Sequence, residues 1–124
     1  MTLDQQTSSQ SVCDLDSALH AVDDDRALLS RMIHLFIMQS PNLLQEIRAA
    51  VECRDGVALW RAAHTLRGSV CNFGAHRAND GAARLEQIGR DRNWSAAAEA
   101  HEDLQKAMVD LDRALAEFSK DPAP

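Results

Sequence analysis

Ala63-His64-Thr65-Leu66-Arg67-Gly68-Ser69-Val70-Cys71-Asn72-Phe73-Gly74-Ala75 is the stretch that decides how this chain folds. With Leu59 and Ala62 before it, Leu66 and Phe73 recur at helical spacing and mark the inner face of a helix over about residues 57–73. Gly74 supplies its stop signal. His64 lies two positions from both Ala62 and Leu66. Two residues turn a helix by about 200°, so the imidazole points nearly opposite the core. Its neighbours three and four positions away are Trp60, Arg61, Arg67 and Gly68. A glycine inside a helix costs about 1 kcal/mol relative to alanine. A local rule broken without structural benefit marks a candidate functional site.

Outward from this helix the chain reads as more helices. Upstream, Asp55-Gly56 makes a turn. Before it a helical pattern runs over about residues 25–53, with Leu28, Met32, Phe36, Leu43, Ile47 and Ala50 as its inner stripe. Ser40-Pro41 interrupts it. Either serine caps a new helix with proline at its first position, or one helix continues with a kink. Leu15, Ala18, Leu19 and Val22 predict a short helix capped by Asp14 or Asp16, and Asp23-Asp24-Asp25 suits the positive end of the helix that follows. Downstream, residues 76–90 place Ala78, Ala82, Leu85 and Ile88 inward. Asp91-Arg92-Asn93 is a loop. The last helix runs from Trp94 to about Phe118, and its inner positions Ala97, His101, Leu104, Met108, Leu111, Leu115 and Phe118 alternate steps of four and three.

Short loops make successive helices antiparallel neighbours. The expected fold is all-α: an up-down four-helix bundle with a short N-terminal helix covering one end. The domain spans residues 14–119, after a disordered Gln/Ser/Thr-rich segment (1–13) and before a tail (120–124). A monomer is the default expectation. Composition agrees: 124 residues suffice for one core, apolar residues make up 45%, and aromatics only 4%. Ala and Leu therefore build most of the core, which suits close helix packing.

The net charge of −6 and the lack of a basic stripe argue against nucleic acid. No apolar run approaches the roughly 20 residues that span a bilayer, and the first residues lack a signal-peptide pattern. Three widely spaced cysteines (Cys13, Cys53 and Cys71) give neither a disulfide framework nor a zinc pattern. Reduced thiols and a cytoplasmic location follow as expectations. There is no Glu-x-x-His pair for a di-metal bundle, no Gly-rich phosphate loop and no Asp cluster for magnesium. No metal and no cofactor are expected.

The residues around His64 point to phosphoryl chemistry. A neutral imidazole is a nucleophile near neutral pH. Arginine is a permanent cation whose fork suits phosphate oxygens. Gly68 removes side-chain bulk beside the ring, so a partner's loop can approach. Phosphoryl transfer asks mostly for positioning and charge neutralisation, and a rigid helix supplies the first. Trp60 either covers the helix surface or joins an interface. Cys71, near His64 on the helix, has helix packing as its plainer reading. His20, His34, His76 and His101 are expected to have no catalytic role.

Ala63-His64-Thr65-Leu66-Arg67-Gly68-Ser69, followed by Asn72-Phe73-Gly74-Ala75, resembles the signature of histidine-containing phosphotransfer (HPt) domains. The resemblance covers roughly residues 15–118. It implies that His64 is phosphorylated at Nε2, that Arg67 stands where the family usually has lysine, and that Gly68 is the access glycine. Glu86 falls on the next helix, where related domains often place a polar residue beside the histidine. Its implied role is to accept the Nδ1 proton. Arg90 is a further candidate for holding phosphate, although the helix dipole also favours an arginine there.

The resemblance further implies a phosphorelay intermediate. It would accept phosphate from the aspartyl phosphate of one receiver domain and pass it to the aspartate of another. The receivers, on hybrid histidine kinases or response regulators, would carry the magnesium, and this chain would not be an enzyme with its own ATP site. Trp60, Arg61, Gly68, Cys71, Leu19, Val22, Ile33 and Ile37 are the candidate docking residues. For the last four, ordinary packing is the competing reading. The alternative function is the N-terminal phospho-accepting domain of a chemotaxis-type histidine kinase, phosphorylated by a separate ATP-binding domain. A chain that begins at methionine and ends in a tail favours the stand-alone reading.

Overall fold

Five α-helices and one short 3-10 turn carry residues 12–120, the part of the chain that the computed structural model describes. They are α1 (Leu15–Ala21), α2 (Arg26–Cys53), α3 (Gly56–Cys71), α4 (His76–Asp91) and α5 (Ala97–Lys120), with the 3-10 turn Trp94–Ala96 leading into α5. No strand occurs among the described residues. The disorder expected for residues 1–13 and the tail expected for 120–124 lie outside them except at Val12 and Cys13, which pack on or in the core, and at Lys120, which ends α5.

The first three helices start with the same device. Asp14, Asp25 and Asp55 each turn a side-chain oxygen onto the backbone amide three residues on, at Ser17, Leu28 and Ala58. These bonds satisfy amides that the helix leaves open. Asp14, rather than Asp16, therefore caps α1. The connections use left-handed residues: Asp23 and Asp24 before α2, Arg54 before α3, and Arg92 after α4. Aspartate tolerates that region better than most side chains.

The helix containing Pro41 is continuous over 28 residues. Ser40 therefore caps nothing; it is buried with its hydroxyl unpaired. α3 is shorter than the periodicity predicts. The amides of Asn72, Phe73 and Gly74 bond three residues back, to Ser69, Val70 and Cys71, which tightens the chain out of the α-helix.

The inner face of α2 differs from the predicted stripe. Leu28 is exposed (40%), and Leu29, Ile33, Phe36, Ser40, Ile47 and Ala50 are buried. Two apolar rows, Leu28/Met32 and Leu29/Ile33, run side by side near the start of this helix. The hydrophobic period fits both, and packing against the other helices selects the second. Ile33, a candidate docking residue, is fully buried (0%) and is removed from that role. Cys13, assigned to the disordered segment, is also in the core. The amide of Asp14 bonds the carbonyl of Phe73 at 2.8 Å, and Gly74, at φ +61°, lies so close that a Cβ would come within 2.7 Å of Asp14 Cβ. The entry to α1 is thus pinned on the end of α3.

Each long helix packs on two others: α2 on α3 and α5, and α4 on α3 and α5. Phe36 of α2 meets Phe73, in the turn that follows α3, edge-on at 5.3 Å. The ion pairs Arg77–Asp110 and Arg84–Asp103 join α4 and α5 in opposite chain directions. The closest approach is between α3 and α4. A Cβ on Gly89 would lie 2.8 Å from the Gly56 carbonyl oxygen and 2.9 Å from the Trp60 amide nitrogen. Only residues without a side chain permit this backbone contact, and it sets the register of the next turns. No helix among the described residues is long and apolar enough to cross a membrane.

Candidate functional site

Two turns beyond Gly56 on α3, and one turn before Gly89 on α4, His64 and Glu86 face each other. The His64 side chain is 56% exposed, whereas the Glu86 carboxyl is only 7% exposed. His64 Nδ1 stands 3.1 Å from Glu86 Oε2. A carboxylate only accepts, so Nδ1–H donates, and in the neutral ring that leaves the lone pair on Nε2. Arg90 Nη2 donates to the same oxygen at 3.2 Å. Arg67 Nη2 lies 3.4 Å from Oε1, an ion pair without hydrogen-bond alignment, and Oε1 has no hydrogen-bond partner. Two guanidiniums and an imidazole N–H thus compensate one buried carboxylate, the condition under which such burial is tolerated.

Trp60, one turn before His64, stacks its ring on the imidazole at 5.8 Å between centroids and 16° between planes. The Arg90 guanidinium sits over the same indole, 4.9 Å from its centre. Beside the imidazole, His64, Arg67, Gly68, Cys71 and Asn79 line a shallow depression. A Cβ on Gly68 would meet nothing within 4 Å, so the gap there is open to whatever approaches.

The structure therefore gathers Trp60, His64, Arg67, Gly68, Cys71, Glu86 and Arg90. It does not gather the rest. Arg61 faces the other flank of α3, lining a depression with Glu46, Cys53 and Asp55. Leu19, Val22 and Ile37 are partly buried against the core. Sequence reasoning passed over Leu35, which is exposed and lines a groove with Met32 and Phe36 of α2, with Ser69 of α3 and with Asn72 and Phe73 just after it. An apolar residue outside the inner stripe was the signal for it.

Of the other histidines, His20, His34 and His76 are exposed. Partial burial, then the nearby Arg48 charge, holds the His101 imidazole below its ordinary pKa, and its Nε2 is buried without a partner. Among the described residues no group of His, Cys, Asp or Glu is placed to hold a metal ion.

A family model described as the Hpt domain matches residues 31–117, which include His64, Arg67, Gly68, Glu86 and Arg90. No curated protein and no solved structure matches the chain. The family match covers well over half of the sequence, and the chain belongs to the Hpt domain family, the phosphotransfer modules of phosphorelay signalling.

Proposed function

We propose that this chain is a cytoplasmic, monomeric phosphorelay intermediate whose long helices form an antiparallel up-down four-helix bundle, with His64 as the group that carries phosphate. Nε2 attacks the phosphorus of a receiver's aspartyl phosphate. The N–P bond forms as the P–O bond to the aspartate breaks, and the electron pair leaves with the carboxylate oxygen. The Nδ1 proton stays in its bond to Glu86, whose charge balances the positive character the ring gains. The reverse sequence delivers the group to a second receiver. Arg67 supplies cationic charge to the phosphoryl oxygens, for which its loose pairing with Glu86 leaves it available. Magnesium and the receiving carboxylate belong to the receiver, and this chain needs no cofactor or ATP site. The partner docks over the depression at Gly68 and Cys71 and over the apolar flank of α2 at Met32 and Leu35.

The observation that carries this reading is an exposed imidazole whose Nδ1 is tied to a buried carboxylate. Incubation with phosphorylated receivers tests it. The wild type should take up label and pass it on, and His64→Gln should take up none. Label retained by His64→Gln would refute the assignment. A parallel incubation with ATP and histidine kinases, without receivers, tests the chemotaxis-type alternative; labelling in that arm alone would favour it.

A further inference from the structure

Four side chains on two antiparallel helices close a cycle around the imidazole. Trp60 and His64 lie one turn apart on α3, and Glu86 and Arg90 one turn apart on α4. Each touches two of the others: indole on imidazole, Nδ1–H on carboxylate, carboxylate on guanidinium, and guanidinium on indole. Transfer as described above uses His64, Glu86 and the charge of Arg67, and gives Trp60 no part. We propose that Trp60 is a positioning residue, whose indole face fixes the plane of the His64 ring so that Nδ1 stays on Glu86 and Nε2 stays toward the partner. This inference rests on the reading of His64 as the phosphoryl carrier.

A hydrogen bond to one ring atom leaves the ring free to rotate about that bond. A second restraint on its face removes the freedom. The separation and near-parallel planes of Trp60 and His64 are those of an offset aromatic stack. Arg90 holds both the indole and Glu86, within the range at which a cation is attracted to a ring face. Displacing any one member therefore disturbs its two neighbours. Trp60 is half-buried, and its Nε1 is buried with no partner. Its polar atom is thus closed to a docking protein, and its ring already contacts the imidazole and the guanidinium. Phosphorylation at Nε2 with the Nδ1 proton retained makes the imidazole more cationic, which strengthens its attraction to the indole.

The test uses NMR of the full unphosphorylated chain together with phosphotransfer kinetics. In the wild type, the His64 ring protons should resonate upfield of a free histidine, and the Nδ1-protonated tautomer should dominate. Trp60→Leu keeps apolar bulk without a flat face. It should mix the tautomers and lower kcat for transfer from a phosphorylated receiver about fivefold, the size of one aromatic pair, with KM changed less than about twofold. Trp60→Phe should restore both. Wild-type ring protons without an upfield displacement would overturn the proposal, as would Trp60→Leu with unchanged tautomers and kcat, or an effect confined to KM. If Trp60→Leu fails to fold, the wild-type resonances and Trp60→Phe decide. Failure of every receiver to label His64 would remove the phosphotransfer reading, while the NMR measurements still decide whether Trp60 holds the ring.

Discussion

Among the described residues, Glu86 is the one buried carboxylate, and its surroundings explain how it stays there. Arg67, Arg90 and the His64 N–H converge on it, so its charge is shared rather than stranded. Gly68 is the complementary case, a residue whose value lies in what it lacks. Its place in the helix interior would accept a methyl group without contact. Gly68→Ala should therefore stabilise the fold by about 0.5–1 kcal/mol, the helix-propensity difference. The same methyl fills the gap beside His64, so kcat/KM with a phosphorylated receiver should fall. Denaturant titration and transfer kinetics on one preparation check both halves. A stabilised variant with an unchanged rate would show that the gap has no role in access.

At the scale of elements, the pairing of α3 with α4 builds the site. Gly56 and Gly89 let two backbones touch, and the antiparallel register that follows puts 60 near 90 and 64 near 86. Gly89→Ala would press a Cβ against the Gly56 carbonyl and the Trp60 amide. Backbone has little room to yield, so the expected loss is about 2–3 kcal/mol of stability, in the range for overpacked interiors. The helices should also part enough to lengthen the His64–Glu86 bond. A lowered denaturation midpoint together with an altered His64 ring-nitrogen spectrum would agree. A variant as stable as the wild type would mean that the two helices are not held by this contact. The Pro41 helix offers a contrast: it stays whole because its tertiary contacts outweigh one missing backbone bond.

At the scale of the whole molecule, His101 on α5 couples stability to pH. Partial burial, then the Arg48 charge, lowers its pKa from 6.5; Glu52 opposes this weakly. As pH falls, the unfolded chain takes up the proton first, so folding loses stability below about pH 6.5 and keeps it in full above. His101→Gln should flatten that slope, read as denaturation midpoints at about pH 5 and 7.5. A slope equal to that of the wild type would assign the acid sensitivity to other groups. Some of the molecule was legible in advance because it is local. Hydrophobic period, aspartate caps and the spacing of His64, Arg67, Gly68 and Gly74 act over a turn or two of helix, and they identified the helical fold and the exposed imidazole. What was misread depends on distant chain. Whether Leu28 or Leu29 faces inward, whether Ile33 is a surface or a core residue, and whether Cys13 is buried are fixed by which helices pack against them. Glu86 beside His64 was anticipated from the family resemblance; that Trp60 and Arg90 close a ring with this pair depends, like the misread positions, on distant chain. The i, i+4 pairs of that ring stand in the sequence, but only the approach of α3 to α4 at two glycines brings them face to face.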